Sequence, residues 1–170
     1  EAAKKIPMVI PEDEIARRED WRERDVITID PKTAKDFDDA ILVEKAENGW
    51  RLAVHIADVS YYVKPESVMD LEARERGNST YLVDRVIPML PEELSNGICS
   101  LVPQEDRLTK CVVIDFDVKG RIVETYFCDA VICTPRKYAY EEAQEILENL
   151  GKGGRLGNRI REAWDLASLL

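Results

Sequence analysis

The chain contains the segment Thr28-Ile29-Asp30-Pro31-Lys32-Thr33-Ala34-Lys35-Asp36-Phe37-Asp38-Asp39-Ala40, in which four aspartates fall within ten residues. Apolar residues flank this segment on both sides, Val26 and Ile27 before it and residues 41–43 after it. A solvated acidic tract would lie in polar sequence, whereas these flanks are typical of two buried strands. The sequence therefore predicts that the carboxylates are crowded together at a strand end.

The crowded carboxylates indicate a divalent metal site. Without a cation they repel one another, and some of them must stay protonated. Only oxygen ligands are available in the segment, which favours Mg²⁺, Mn²⁺ or Ca²⁺ and disfavours Zn²⁺. Four carboxylates can neutralise two such ions, one to activate water and one to stabilise a leaving oxygen. The alternative is a solvated loop whose aspartates cap turns and helix starts.

Two other motifs for metal or phosphate binding do not fit the segment. A calcium loop of the EF-hand type requires a glycine directly after its aspartates, and none follows Asp38 or Asp39. A phosphate-binding P-loop is absent from the sequence as well.

The pattern Thr-Ile-Asp-x5-Asp-x-Asp-Asp-Ala resembles the signature of the RNase II/RNase R ribonucleases, which share the RNB catalytic domain. Further blocks resemble the same family in the same order along the chain, in a form closest to ribonuclease R. These blocks are Arg18-x2-Trp21-Arg22 and residues 54–63, 87–91, 94–96 and 99–101.

The resemblance implies a processive 3′-to-5′ exoribonuclease that hydrolyses single-stranded RNA to 5′-mononucleotides with Mg²⁺, or with Mn²⁺ in its place. Asp30, Asp36 and Asp39 match metal ligands of that family. Asp38 matches the position that the family requires for cleavage, where it serves a second metal or the attacking water. Tyr81 matches the tyrosine that stacks near the RNA 3′ end and sets the length of the final product. Taken alone, Tyr81 also fits an ordinary half-buried strand residue.

The resemblance further predicts that the chain is part of a larger enzyme. The sequence stops at Leu170 inside a helical pattern, whereas the catalytic domain of the family continues for roughly as long again. The accessory RNA-binding domains of the family, cold-shock-like and S1, are absent from the sequence. We expect residues 21–170 to form the N-terminal portion of the catalytic domain, after a polar lead-in at residues 1–20, and to be inactive alone.

Composition indicates where the protein is located and which partners it binds. No apolar run approaches a membrane span and no signal peptide is evident, which predicts a cytoplasmic protein without a membrane partner. The net charge of −10 is unusual for an RNA-binding protein, although metal would offset the clustered aspartates. Single-stranded RNA remains the expected ligand, and no DNA partner is expected. The cysteines show no CxxC spacing, so we expect reduced core residues: Cys99, Cys111, Cys128 and Cys133.

Hydrophobic periodicity predicts an α+β fold, built on a mixed or antiparallel sheet with flanking helices. The predicted strands are residues 26–30, 51–59, 110–118 and 121–134, the last two joined by a hairpin turn at Lys119-Gly120. The predicted helices are residues 67–76 and 138–150, then a glycine-rich connector at residues 151–157 and a final helix capped by Asn158.

Two further polar residues lie at the second strand. His55 is the only histidine, and we expect a packed, hydrogen-bonded strand residue in preference to a general base, because metal-activated water needs no histidine. Asp58 fits two roles equally, support of the metal site from behind its ligands and capping of a turn.

Three functions fit these observations. The first is the Mg²⁺-dependent exoribonuclease, and the second is a non-catalytic RNA- or protein-binding relic of the same fold. A relic would have lost an acid, but all four aspartates are present. The third is an unrelated metal-dependent phosphodiesterase or phosphatase, which the matching blocks beyond the aspartates disfavour.

Overall fold

A sheet organises the part of the chain that the computed structural model describes, which is residues 6–149 and 151–170. The strands are β1 (Glu19–Asp20), β2 (Thr28–Asp30), β3 (Asp39–Ala46), β4 (Gly49–Ala57), β5 (Thr80–Tyr81), β6 (Val86–Ile87), β7 (Asp106–Asp117), β8 (Ile122–Cys133) and β9 (Lys137–Ala139). The helices are α1 (Glu12–Ile15), α2 (Val59–Tyr62), α3 (Val68–Arg76), α4 (Tyr140–Glu148) and α5 (Gly154–Leu169).

The main sheet has the strand order β1-β8-β7-β4-β3. Its neighbours are antiparallel except for β1, which runs parallel to β8. Strands β2 and β9 pair in parallel beside it, and β5 pairs with β6 as a short antiparallel ribbon. The predicted α+β fold with a mixed or antiparallel sheet is therefore confirmed.

Both faces of the main sheet contribute to the core. On one face, alternate strand residues such as Leu42, Ala53 and Val113 pack with Trp21 and Phe37. On the other face, helix α5 covers β3, and its Leu166 packs in one cluster with Val43 of β3 and Phe116 of β7. Because side chains of a strand alternate between faces, the two layers share strands β3, β4 and β7. The aspartate segment leaves this framework at the end of β2 and re-enters it at the start of β3.

Several local predictions from the sequence are confirmed. Helix α3 begins after Ser67, whose Oγ accepts a hydrogen bond from the Asp70 N–H at 3.2 Å. It ends at Gly77, where φ is +73°, a conformation that glycine adopts without strain. The hairpin between β7 and β8 turns through Lys119-Gly120 as expected.

The C-terminal helices differ from the predicted pattern. Tyr138 belongs to strand β9, so α4 begins two residues later than expected, and Leu150 lies outside the described residues. Helix α5 begins at Gly154, which makes the predicted cap Asn158 an interior residue. Gly153 precedes the helix at φ +86°, so glycine conformation in place of a side-chain cap sets its start.

The segment expected to be a polar lead-in takes part in the packing where it is described. Strand β1 joins the edge of the main sheet beside β8. Ile6, Ile10 and Ile15 pack against a cluster that includes Leu94 and Val131. Residues 1–5 of the lead-in lie outside the described residues.

Two expectations from composition concern the described residues. All four cysteines are free, as expected; Cys99 and Cys111 are buried core residues, whereas Cys128 and Cys133 are only half-buried. Within residues 6–149 and 151–170, no helix is both long enough and apolar enough to cross a membrane.

Candidate active-site cleft

Three of the four aspartates line one cleft of about 700 Å³, together with Tyr81. Asp30 ends strand β2, and Pro31, which has no N–H to donate, closes that strand. Asp36 and Asp38 lie on the loop that leads to β3. The other residues around the cleft come from that loop and from residues 79–96: Pro31, Thr33, Ala34, Lys35, Ser79, Val86, Pro88, Glu92, Ser95 and Asn96.

Asp30 is positioned by the parallel pairing of β2 with β9, where it lies opposite Ala139. It also borders a second cavity of about 620 Å³, whose lining includes Lys137 and Glu141. Its Oδ2 atom is buried and has no hydrogen-bond partner among the described residues. A buried carboxylate oxygen without a partner is costly, which makes Asp30 ready to accept a cation or a donor.

The electrostatics of the cleft reflect crowded negative charge. Burial raises the pKa of Asp30, and the charges of Asp39, Asp36 and Asp38 raise it further, while Lys137 partly offsets them. Part of Asp38 faces solvent, yet burial within the cleft raises its pKa too, followed by the charges of Asp36 and Asp39. Among the carboxylates, Asp39 therefore acts most strongly on Asp30 and Asp36 acts most strongly on Asp38.

Asp39 does not line the cleft with the other three aspartates. It is the first residue of β3 and pairs in register with Ile56. Strand geometry points its side chain away from that of Ala40, which is buried in the core. The charge of Asp39 nevertheless acts on Asp30 more strongly than the charges of Asp36 and Asp38 do, so Asp39 lies near Asp30 without lining this cleft.

The aspartates suit a divalent cation in their chemistry, although they are not gathered around one point. In the described ranges, no three side chains of the His, Cys, Asp and Glu types are gathered closely enough to hold an ion. The donor chemistry nevertheless suits a hard cation, because the candidate ligands are carboxylates and one buried oxygen lacks a partner. The residues fit Mg²⁺ in type and charge, and their carboxylates would have to draw together around it.

Tyr81 is one of the residues that line the cleft. It lies on β5 opposite Val86 of β6, and both residues line the cleft. Its side chain is 70% exposed, so the ring is accessible to a ligand. An ordinary half-buried strand residue would be more covered than this.

His55 lies away from the cleft, inside the core. It is fully buried, its ring makes an edge contact with Trp21, and its Nδ1 lies 3.1 Å from Thr109 Oγ1. Burial, assisted by the charge of Arg24, lowers the pKa of His55 to about 4. The preference for a packed, hydrogen-bonded strand residue is therefore confirmed.

Both carboxylate oxygens of Asp58 bind neighbouring groups of the fold. Its Oδ1 accepts from the Tyr61 N–H at 3.2 Å and caps helix α2. Its Oδ2 forms a 2.8 Å ion pair with Arg18, which is also buried. Of the two roles open to Asp58, the structure therefore shows the capping role.

Other residues at the cleft were not assigned a role from the sequence. Ser95 and Asn96 fall in a block that resembles the ribonuclease family, so the resemblance was the available signal. Lys137, whose charge acts on Asp30, gave no signal, because it lies more than a hundred residues away along the chain. Glu92 adds a further carboxylate to the cleft lining.

Comparison with known proteins gives consistent results. The RNB domain family model matches residues 18–170. The chain is 50% identical over 148 residues to ribonuclease R of Thermotoga maritima, covering 86% of this chain and 21% of that protein. It is 49% identical over 142 residues to ribonuclease R of Escherichia coli, covering 82% of this chain and 17% of that protein.

A solved structure shares the fold. RNase R of Mycoplasma genitalium in complex with double-stranded RNA superposes with a TM-score of 0.92 at 36% identity, covering 98% of this chain and 30% of that chain. The chain thus spans 17% to 30% of the length of these relatives. Because the family model covers most of the sequence and the fold agrees, the chain belongs to the RNB domain family.

Proposed function

We propose that this chain provides the carboxylate part of the active site of a 3′-to-5′ exoribonuclease, which hydrolyses single-stranded RNA processively to 5′-mononucleotides. The observation that carries the proposal is the common cleft of Asp30, Asp36, Asp38 and Tyr81. Relatives at about half identity are ribonucleases R, which supports RNA as the substrate.

In this proposal Mg²⁺, or Mn²⁺ in its place, is held by Asp30, Asp36, Asp38 and Asp39. A bound ion supplies Lewis-acid chemistry and a nucleophilic hydroxide at neutral pH. The unpartnered Oδ2 of Asp30 and the raised pKa values of Asp30 and Asp38 support the assignment, because a cation would relieve both.

The chain's own groups have distinct tasks in this scheme. Tyr81 offers an accessible ring on which the terminal base stacks, and such stacking contributes about 1–3 kcal/mol per base whatever the sequence. Asp38 serves a second metal position or orients the attacking water for hydrolysis. Asp30, fixed by β2 and β9, provides the rigid wall of the site.

The metal assignment is tested by titrating Mn²⁺ into the chain and following paramagnetic broadening, beside the variant Asp30→Asn. We expect broadening centred on residues 30–39 that is lost in the variant. Broadening elsewhere, or equal broadening in both proteins, would show that the aspartates are structural.

Cleavage is tested in a chimera, because we expect the chain alone to be inactive. The matching segment of Thermotoga maritima ribonuclease R is replaced by this chain, with and without Asp38→Asn. We predict that the variant loses more than about a hundredfold in rate, since a group required for water activation is removed. RNA affinity should stay nearly unchanged, because the side-chain shape is kept.

The relic function makes the opposite prediction for the same chimera. A non-catalytic binding module would retain RNA in the unmodified chimera without shortening it. An equal loss of affinity and rate in Asp38→Asn would instead show that Asp38 binds RNA and has no special part in hydrolysis.

A further inference from the structure

The aspartate loop, residues 31–38, has no helix or strand of its own to satisfy its backbone groups. Buried N–H and C=O groups need partners, so such a loop depends on hydrogen bonds from the surrounding structure. Two of these come from backbone groups. The Ala57 N–H donates to the Asp38 carbonyl, and the Leu101 N–H donates to the Phe37 carbonyl, each at 2.9 Å.

A single side chain supplies two more of these bonds. The Phe37 N–H donates to Ser100 Oγ at 3.0 Å, and the Ser100 hydroxyl donates to the Lys35 carbonyl at 2.8 Å. The two bonded groups belong to the residues on either side of Asp36. The hydroxyl thus bridges the backbone on both sides of a candidate metal ligand, and Ser100 itself does not line the cleft.

Ser100 is itself firmly held. It is 0% exposed, and its N–H donates to the Gly97 carbonyl at 3.0 Å. Its carbonyl accepts from Arg107 Nε at 2.8 Å, and the Arg107 side chain is also buried. Because the support is fixed on both sides, a movement of Asp36 relative to the sheet requires the Ser100 hydrogen bonds to break.

We propose that Ser100 is the positioning residue for Asp36 and Asp38: its hydroxyl fixes the loop backbone so that the carboxylates can draw together around a divalent cation. The inference rests on the proposed metal-dependent function. Ser100 touches neither the cation nor the RNA in this role, and it acts through the loop. Partners that orient metal ligands in this way typically change metal affinity about 10–100-fold when they are removed.

A plain packing role for Ser100 predicts a different result. If Ser100 only filled space, alanine would replace it with a modest loss of stability and no specific effect on metal. The bridging role predicts that alanine frees the Phe37 N–H and the Lys35 carbonyl together, so the effect is centred on Asp36.

The experiment uses the full 170-residue chain with Ser100→Ala and with Ser100→Cys, which keeps a side chain of similar shape but a much weaker donor. The matched control is Thr134→Val. Thr134 is also buried, and its Oγ1 bonds the Leu101 carbonyl at 3.4 Å without touching the loop. Calorimetric titration measures Mn²⁺ affinity, amide exchange measures protection of the Phe37 N–H, and thermal melting measures overall stability.

We expect Ser100→Ala to weaken Mn²⁺ binding by about tenfold or more and to lose protection at the Phe37 amide. Ser100→Cys should fall between alanine and the parent, and it carries the comparison if the alanine variant does not fold. Thr134→Val should match the parent chain in Mn²⁺ affinity and in protection of the Phe37 amide. Unchanged Mn²⁺ affinity together with an unchanged Phe37 amide would overturn the proposal, as would equal losses in Ser100→Ala and Thr134→Val.

A failure of the proposed function gives a separate signature. If the parent chain and Asp30→Asn bind Mn²⁺ equally or not at all, the metal assignment fails. A positioning role toward a cation then falls with it, while a selective loss of Phe37 protection would still show Ser100 as an anchor of the loop.

Discussion

At the scale of single residues, the ionisable side chains of this chain divide into two kinds. Asp58 and His55 are buried, have partners and lie outside the cleft. Asp30 and Asp38 line the cleft, and burial together with the neighbouring like charges raises their pKa values. Perturbed carboxyl groups in a cleft favour a functional assignment, and buried paired groups favour a structural one. The two kinds respond differently to mutation and to pH.

The ion pair of Asp58 with Arg18 should be important for stability. Asp58→Ala removes one of the two carboxylate partners of Arg18, whose side chain is 3% exposed, and leaves Glu14 at 2.8 Å. Breaking a buried pair completely costs about 3–5 kcal/mol, and because Glu14 still compensates part of the charge, we expect a loss toward the lower end of that range in urea unfolding. Asp129→Ala is the control, because Asp129 pairs with Lys110 at the surface, and a change within about 0.5 kcal/mol is expected. Equal losses in the two variants would contradict the buried-pair account.

His55 should make stability depend on pH. Its pKa is about 4 in the folded chain, below the ordinary histidine value of 6.5, so the unfolded chain takes up the proton first as pH falls. Its contribution is therefore present above pH 6.5 and is lost between pH 6.5 and 4. We expect a loss of about 2 kcal/mol between pH 7 and 5. Comparison with His55→Gln isolates this term, since the carboxylates titrate in both proteins; identical slopes would refute it.

At the scale of elements, the contact between α4 and α5 depends on a glycine. A Cβ placed on Gly157 would lie 2.7 Å from the Lys152 carbonyl oxygen and 3.3 Å from Ile146. That carbonyl also accepts a hydrogen bond from Arg161 at 2.7 Å, so it cannot move without cost. The close approach of Gly157 to the connector and to Ile146 therefore sets how α5 packs against α4.

We predict that Gly157→Ala destabilises the chain by about 1–2 kcal/mol. Overpacking costs about 1–3 kcal/mol and outweighs the helix propensity of alanine, about 1 kcal/mol, because the nearest atom belongs to the backbone. Gly151→Ala is the control, since a Cβ there would meet nothing within 4 Å. Thermal melting of the two variants checks the prediction, and a more stable Gly157→Ala would contradict it.

The sequence predicts elements better than it predicts their partners. Strands β3, β4, β7 and β8 and helix α3 could be located from alternation, caps and the Lys119-Gly120 turn. Strand β9 could not, because three residues carry no periodicity and their pairing with β2 is made at long range. The predicted start of α5 was wrong. Asn158 is a residue type that often caps helices, but the helix begins after Gly153, whose backbone conformation sets its start.

In the candidate site, too, the features that are local in sequence could be predicted and those that depend on long-range contacts could not. Local spacing could identify the crowded aspartates, and the family resemblance singled out Tyr81, which the structure places at the same cleft. The contribution of Ser100 could not be read from spacing, because its hydrogen bonds join positions more than sixty residues apart. The position of Asp39 outside the cleft follows from strand register, which the sequence leaves open at a loop end.

At the scale of the whole molecule, one edge of the main sheet is largely unpaired. Strand β1 pairs with β8 only at Ala130 and Val131, so within the described residues the rest of β8 has no neighbour on that side. Apolar side chains lie along this stretch, with Phe127 81% and Val123 70% exposed. An exposed edge with such side chains is a template for pairing with another chain.

We predict that the chain self-associates through this edge at high concentration, in a manner that sedimentation velocity can detect. Phe127→Lys should weaken the association about tenfold or more, which corresponds to about 1.4 kcal/mol, because charge opposes edge pairing. Val118→Lys is the control, since Val118 is similarly exposed but lies in the turn after β7. Equal effects of the two changes would assign the association to another surface.

The parallel pairing of β2 with β9 also has a consequence for the order of events during synthesis. Asp30 lies opposite Ala139, so the partner strand of the acidic segment is made 109 residues later. At about 5–20 residues per second, the ribosome needs roughly 5–20 s to cover that distance. Pairing at such separation also raises contact order and slows folding. The cleft is therefore among the last parts of this chain to form. A nascent chain contains the aspartates long before the cleft that they line is complete.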